Sequence, residues 1–168
     1  MLKRVDLRVL SPRKLRRLML IGLCTWPLLL GVAGAGTTPS GLQVSPEAYD
    51  FGPVKRMGGK VQTTFTLRNQ GETALTIHRL WTSCPCTTAT LVVAQRKSPE
   101  FHMLDSHPDW SETLKSGDEA TLLVSFDPNY HGPGGVGLQQ KLIRITSGGL
   151  QNPLAQLMLS ATVIDDPK

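Results

Sequence analysis

The feature that most constrains this chain is a succession of short apolar-polar alternations broken by turn residues, with no segment of helical period long enough to form a layer. Val61-Gln62-Thr63-Thr64-Phe65-Thr66-Leu67 places Val61, Phe65 and Leu67 on one side, the period of two of a half-buried strand. The run stops at Asn69-Gln70-Gly71-Glu72, a turn in which glycine is expected to supply a positive φ. Leu75 and Ile77 carry the next strand inward, and the phase is lost at Leu80-Trp81, where a bulge is expected. Leu122, Val124 and Phe126 alternate with Leu123 and Ser125 up to Asp127-Pro128-Asn129. After the glycine-rich Gly132-Pro133-Gly134-Gly135, a strand over 141–146 turns Ile143 and Ile145 inward. A turn over 147–153 leads to a last strand burying Leu157, Leu159, Ala161 and Val163. Near the start, Leu42–Ser45 and Tyr49–Val54 read as edge strands, because Pro46 and Pro53 suit an edge better than a centre. About seven strands without helices bury their apolar faces only sheet against sheet, so the expected fold is all-β, an immunoglobulin-like β-sandwich.

Residues 1–35 read as an address. Seven basic residues stand against Asp6, an apolar stretch runs from Leu18 to about Ala35, and the stretch closes on Ala33-Gly34-Ala35. That order is the pattern of a cleavable secretion signal. A membrane anchor is the competing reading, but Gly22, Pro27 and Gly31 weaken a run of borderline spanning length. Cys24 follows Leu23 inside the apolar run, which excludes a lipid-modified cysteine. The expected organisation is a signal peptide over 1–35, a flexible leader over 36–41 and the sandwich domain over 42–168.

The signal also accounts for the charge. The chain has 18 basic and 13 acidic residues, seven and one of them within residues 1–35, so 11 and 12 remain and the rest carries a net −1. Nucleic-acid binding thereby loses its only support, and membrane contact is expected only through an uncleaved signal. The expected location is periplasmic or otherwise extracytoplasmic.

Five short motifs then fall in order: Tyr49-Asp50-Phe51-Gly52-Pro53-Val54, Phe65-Thr66-Leu67-Arg68-Asn69-Gln70-Gly71, Ser83-Cys84-Pro85-Cys86-Thr87, Leu114-Lys115-Ser116-Gly117-Asp118 and Val124-Ser125-Phe126-Asp127-Pro128. Together, from about Leu42 to Val163, they resemble a family of bacterial exported proteins of unknown function. That family has a Cys-Gly-Cys-Thr hallmark, and its Ig-like domain is related to major sperm protein and to ASPM/hydin-type domains. The resemblance implies an Ig-like sandwich and export, and no mechanism. Two departures stand out. Pro85 replaces the glycine of the hallmark and stiffens the loop. Residues 95–113 form an insertion holding Phe101, His102, Met103, His107 and Trp110; long loops on a rigid β scaffold are places for function. Phe101, Met103 and Trp110 are its partner-contact candidates.

With the signal removed, Cys84 and Cys86 are the cysteines left, and three readings stay open for them. An oxidising compartment favours a disulfide. The ring is so small that loop entropy contributes little, and its Cα separation and torsion are expected to depart from ordinary values. A thiol-exchange site is the second reading. Against it stand the lack of a thioredoxin-like βαβ pattern and of an adjacent basic residue, Arg79 being the nearest in sequence. The third is a soft-metal site: two thiolates suit Cu(I), with His102, Met103 or His107 of the insertion, or His78 on the preceding strand, completing the set. His131, in the Gly/Pro-rich turn, reads as a solvated loop residue. No Gly-x-Ser-x-Gly elbow and no phosphate-cradling loop is present, and no enzyme is expected. The expected function is that of an exported, non-catalytic module binding an envelope or extracellular protein, without a cofactor. The alternative is a copper-binding or thiol-redox protein built on Cys84-Pro85-Cys86.

Overall fold

A computed structural model describes residues 41–104, 107–147 and 154–165. The signal and most of the leader lie outside the described residues, as does most of the turn read over 147–153. Eleven strands are formed: β1 (Leu42–Ser45), β2 (Ala48–Lys55), β3 (Val61–Asn69), β4 (Leu75–Ile77), β5 (Arg79–Thr82), β6 (Thr87–Val93), β7 (Arg96–Lys97), β8 (Glu112–Leu114), β9 (Glu119–Phe126), β10 (Gly137–Thr146) and β11 (Ala155–Ile164). One sheet runs β1-β3-β9-β6-β7, a second β2-β11-β10-β5, and β4 pairs with β8 alone.

The two larger sheets enclose a common apolar core and make a β-sandwich. Phe65 and Leu67 of β3, Leu122, Val124 and Phe126 of β9, and Ala89 and Leu91 of β6 are buried from one side. Ile143 and Ile145 of β10 meet them from the other, with Leu157, Leu159, Ala161 and Val163 of β11. Strict alternation is what lets each strand fill the shared interior while its other face stays wet. Lys141 is the exception on β10: it takes the same parity as Ile143, donates from Nζ to Gln139 Oε1 (2.9 Å), and its pKa is lowered by burial.

The strand count exceeds the expected seven by four: β6, β7 and β8 were not expected, and one expected strand is divided in two. The run from Leu75 to Thr82 does not bulge in one sheet; it changes partners at His78. β4 pairs with β8, whereas β5 pairs with β10, and the buried positions shift from Ile77 to Leu80 and Thr82. The two edge strands at the start are both present, β1 against β3 and β2 parallel to β11. In β2 the register slips between Ser160 and Thr162, opposite Gly52 (φ 65°) and Pro53, a bulge that only glycine enters without strain.

The role expected of Gly71 needs correction. Its φ is not positive; the residues required there are set by close approach. A Cβ on Gly71 would stand 3.2 Å from Asn69 Oδ1, and one on Gly41 would stand 3.0 Å from the Gly71 Cα. Asn69, buried at the end of β3, is the post around which this turn is wound. Its Nδ2 donates to the carbonyls of Thr73 (2.8 Å) and Leu114 (2.9 Å), and its Oδ1 accepts from the Gly71 amide (3.0 Å). The turn after β3 is thereby tied to β8.

The first part of the insertion, from Gln95 to Phe101, pairs with the first sheet. β7 folds back on the end of β6 through Ala94 and Gln95, both at positive φ (44° and 72°). Phe101 then exchanges two backbone hydrogen bonds with Ala89 (2.8 and 2.9 Å), covering the free edge of β6.

Candidate functional site

The Cys84–Cys86 segment is the crossing from the second sheet to the first, between β5 and β6, and it is pinned on three sides. Thr82 Oγ1 lies 2.9 Å from the carbonyls of both Cys84 and Thr87, and the Thr87 amide closes the turn on Cys84 O (3.1 Å). Ser83 donates its amide to Leu142 O (2.9 Å), and its Oγ accepts from the Leu142 amide (2.9 Å), fastening the corner to β10. Asp127, just past β9, donates its amide to Cys86 O (2.9 Å). The buried Thr82 hydroxyl has one proton to give and two carbonyls within reach, so its own burial is satisfied at the turn.

The two sulfurs lie at bonding distance, 2.09 Å, with Cα atoms 5.1 Å apart. That separation falls inside the ordinary range for disulfides, so the expected departure in Cα spacing is not found; the tight turn itself brings the two Cα atoms together. Both residues are buried, Cys84 to 6% and Cys86 to 2% of their free exposure.

The group facing them was not read from the sequence as a site residue. His131 Nε2 lies 3.2 Å from Cys84 Sγ. A disulfide sulfur carries no proton, so the ring N–H is the donor. The Cys86 amide reaches the same sulfur at 3.1 Å. Cys86 Sγ has a weaker neighbour, Thr87 Oγ1 at 3.6 Å. His131 is exposed and held by the connection after β9: Asn129 donates its amide to Asp127 Oδ1 (2.9 Å), and Gly132 donates to Asn129 O (2.9 Å). The Tyr130 ring stands edge-on to the imidazole at 5.1 Å. A short 3-10 turn, Gly132–Gly135, folds back so closely that a Cβ on Gly135 would meet His131 Cβ at 3.1 Å. Arg56, beyond β2, braces this connection through Asn129 Oδ1 (2.8 Å) and pairs with Asp165 (2.5 Å).

Among the described residues, Cys84, Cys86 and His131 are the group of His, Cys, Asp and Glu whose ligand atoms lie within 4.8 Å of one another. The three candidates from the insertion are placed otherwise. His102 lines a pocket of about 270 Å³ together with Pro85, Cys86, Glu100, Asp127 and Tyr130, but it is not part of that cluster. His107 packs its ring edge-on against Phe101 (4.9 Å), its Nε2 3.3 Å from Glu100 O, and lines a separate groove with Pro99 and Trp110. Met103 is exposed. Of the partner-contact candidates, Phe101 is wholly buried and offers no surface; its ring holds the insertion down, against Trp110 at 4.9 Å. Trp110 is half-buried on the core, and Met103 alone of the three stands clear.

Residues 42–98 match a family described as "Protein of unknown function (DUF1573)". The stretch takes in the Cys84-Pro85-Cys86-Thr87 corner and ends before the motifs at Leu114 and Val124. No curated protein matches the chain. A protein of unknown function from Porphyromonas gingivalis W83 superposes with a TM-score of 0.51 at 22% identity, over 72% of this chain and 46% of that one. This chain therefore spans under half of that protein's length, and the likeness concerns the fold. An ASH/PapD-like domain of human CEP192 gives 0.43 at 17% identity, covering 83% of this chain and 97% of that domain. WR4, a C. elegans member of the MSP family, gives 0.41 at 9% identity, covering 74% and 99%.

Proposed function

We propose that this chain is an exported Ig-like module of the cell envelope, without a catalytic set of its own, that engages a protein partner through Cys84-Pro85-Cys86 as a thiol–disulfide site. The observation that carries this reading is His131 Nε2 at 3.2 Å from Cys84 Sγ. One sequence argument against exchange, besides the lack of a thioredoxin-like βαβ pattern, was the want of a basic group beside the cysteines; the fold supplies an imidazole from across the chain. An imidazole donor favours a thiolate, the form that reacts. A pocket bordered by Pro85 and Cys86 lies against the pair. Export is supported by the pattern of residues 1–35, and an oxidising compartment suits a paired Cys-x-Cys.

The test uses the purified mature protein with reduced glutathione. The wild type is expected to exchange, and Cys84→Ser with Cys86→Ser is expected to abolish exchange while leaving the fold. The loop-entropy part of that double change is small, on the order of 1.5 kcal/mol for so short a ring. Wild-type protein that stays fully oxidised in a large excess of glutathione refutes the reading.

A second reading rests on the cluster itself. Once reduced, two thiolates and an imidazole within 4.8 Å form a soft donor set suited to Cu(I). Reduced protein is then expected to take up one Cu(I) per chain, and His131→Gln to weaken that uptake. Equal uptake by the double-serine variant refutes it.

A further inference from the structure

The two sulfurs of the Cys84–Cys86 pair are chemically unlike, and the difference gives exchange a direction. Exposure does not choose between them, since both residues are nearly closed to solvent. What differs is the surroundings. The pocket of about 270 Å³ is lined by Cys86 and Pro85 but not by Cys84, and its walls come from β6, the insertion and the end of β9: Thr88, Glu100, His102, Ser125, Asp127 and Tyr130. Cys84 Sγ lies instead among hydrogen-bond donors, the His131 ring at 3.2 Å and the Cys86 amide at 3.1 Å. Cys86 Sγ has one hydroxyl, at 3.6 Å.

Thiol–disulfide exchange is displacement at sulfur. Its rate depends on which sulfur is reachable and on how well the departing sulfur carries negative charge. Here the cysteine that borders the pocket and the cysteine whose sulfur is the better leaving group are different residues, each placed for its own part. We infer that an incoming peptide thiolate enters the pocket and attacks Cys86 Sγ, while Cys84 departs as the thiolate toward His131. The bond formed joins the partner's sulfur to Cys86 Sγ, and the bond broken is Cys84–Cys86. Its electron pair goes to Cys84 Sγ, where the imidazole N–H and the Cys86 amide meet it. Nothing is oxidised or reduced overall in this step; a disulfide is traded for a mixed disulfide. The Cys84 thiolate then stands beside the mixed disulfide, positioned to reverse the step or, with a second thiol from the partner, to let the reduced pair form.

The charges around the pocket fit a peptide rather than an apolar thiol. Lys60, Glu100 and Asp127 all line it, so a thiol carried on a segment with charges of both signs finds opposite charges there.

This inference rests on the thiol–disulfide reading above, and one experiment separates the failure of either. The oxidised wild-type protein is incubated with reduced glutathione, quenched in acid, alkylated at the freed thiol and fragmented in a mass spectrometer; scission at the Cys84–Pro85 bond assigns each label to its cysteine. The expected result is glutathione on Cys86 and the alkyl group on Cys84, in at least about tenfold excess over the reverse. An even or reversed distribution overturns the direction and leaves exchange standing. Absence of both mixed disulfide and released thiol overturns the reading and the inference together. In parallel, His131→Gln is expected to slow adduct formation roughly three- to tenfold without changing its position or the thermal midpoint; an unchanged rate removes His131 from the mechanism.

Discussion

Replacing Phe101 by alanine probes how the insertion is attached, and the structure sets the size of the effect. The side chain is fully buried, touches the Trp110 and His107 rings edge-on at 4.9 Å each, and sits on a backbone paired with Ala89. Core Phe→Ala changes cost about 3–5 kcal/mol. The site lies where a loop meets a sheet edge and is able to collapse in part, so about 3 kcal/mol is expected. For a domain of roughly 120 residues the unfolding entropy is near 0.25 kcal/mol/K, so the midpoint should fall by about 12 °C. Urea denaturation reads the same loss as a lower midpoint concentration at unchanged slope. Met103→Ala, two residues on and exposed, is the control and should cost under about 0.5 kcal/mol. A loss below about 1 kcal/mol for Phe101→Ala, or equal losses for the two variants, refutes the docking of this loop. The result also bears on the site, because Glu100 and His102 flank Phe101 and wall the pocket at Cys86.

Other positions give sharper single-residue expectations. Asn69→Asp turns a buried two-carbonyl donor into an acceptor facing those carbonyls; a loss of about 3 kcal/mol or more is expected at neutral pH, measured by chemical denaturation. Gln95→Gly relieves a side chain at φ 72° in the β6–β7 turn and should stabilise by about 0.5–1 kcal/mol, read as a raised thermal midpoint. Lys141 has its pKa lowered in the fold by burial, so the unfolded chain holds its proton to higher pH; stability from this group rises with pH in the window below the ordinary 10.5, and Lys141→Met should flatten that rise in denaturation midpoints measured across it.

How far the fold was legible depended on what faced the interior. β3, β9, β10 and β11 each turn alternate apolar residues inward (Phe65 and Leu67, Leu122 to Phe126, Ile143 and Ile145, Leu157 to Val163), and that alternation is plain in the chain itself. β6 is as central, lying between β9 and β7, yet its first inward residues are Thr87 and Ala89. One is polar and held by the corner's hydrogen bonds and the other is small, so hydrophobic periodicity has nothing to register. The change of sheet at His78 shows in the sequence only as a lost phase, which a bulge explains equally well. Gly71 was legible as a turn, but its reason, the approach of Gly41 and the Asn69 carboxamide, is a tertiary contact.

The site divides in the same way. Cys84 and Cys86 declare themselves by spacing and by composition. His131 is 47 residues from Cys84 and meets it only because β9 returns beside β6 and the Asp127–Gly132 turns aim the ring back at the corner. Local sequence holds no trace of that meeting beyond the glycine-rich run that lets the connection fold so tightly. The histidines of the insertion were conspicuous by clustering, but His107 ends against the Phe101 ring and His102 on the pocket wall, neither within the Cys84–Cys86–His131 cluster.

The central claim is that the Cys84–Cys86 pair is a working thiol–disulfide site. Equilibrating the mature domain in glutathione buffers of graded potential, with alkylation and intact mass at each step, tests it directly. The account predicts a two-electron transition above about −300 mV, in the range open to exchange with cellular thiols, and shifted by His131→Gln. A pair that stays oxidised throughout that range, with or without His131, is a structural bond and contradicts the account.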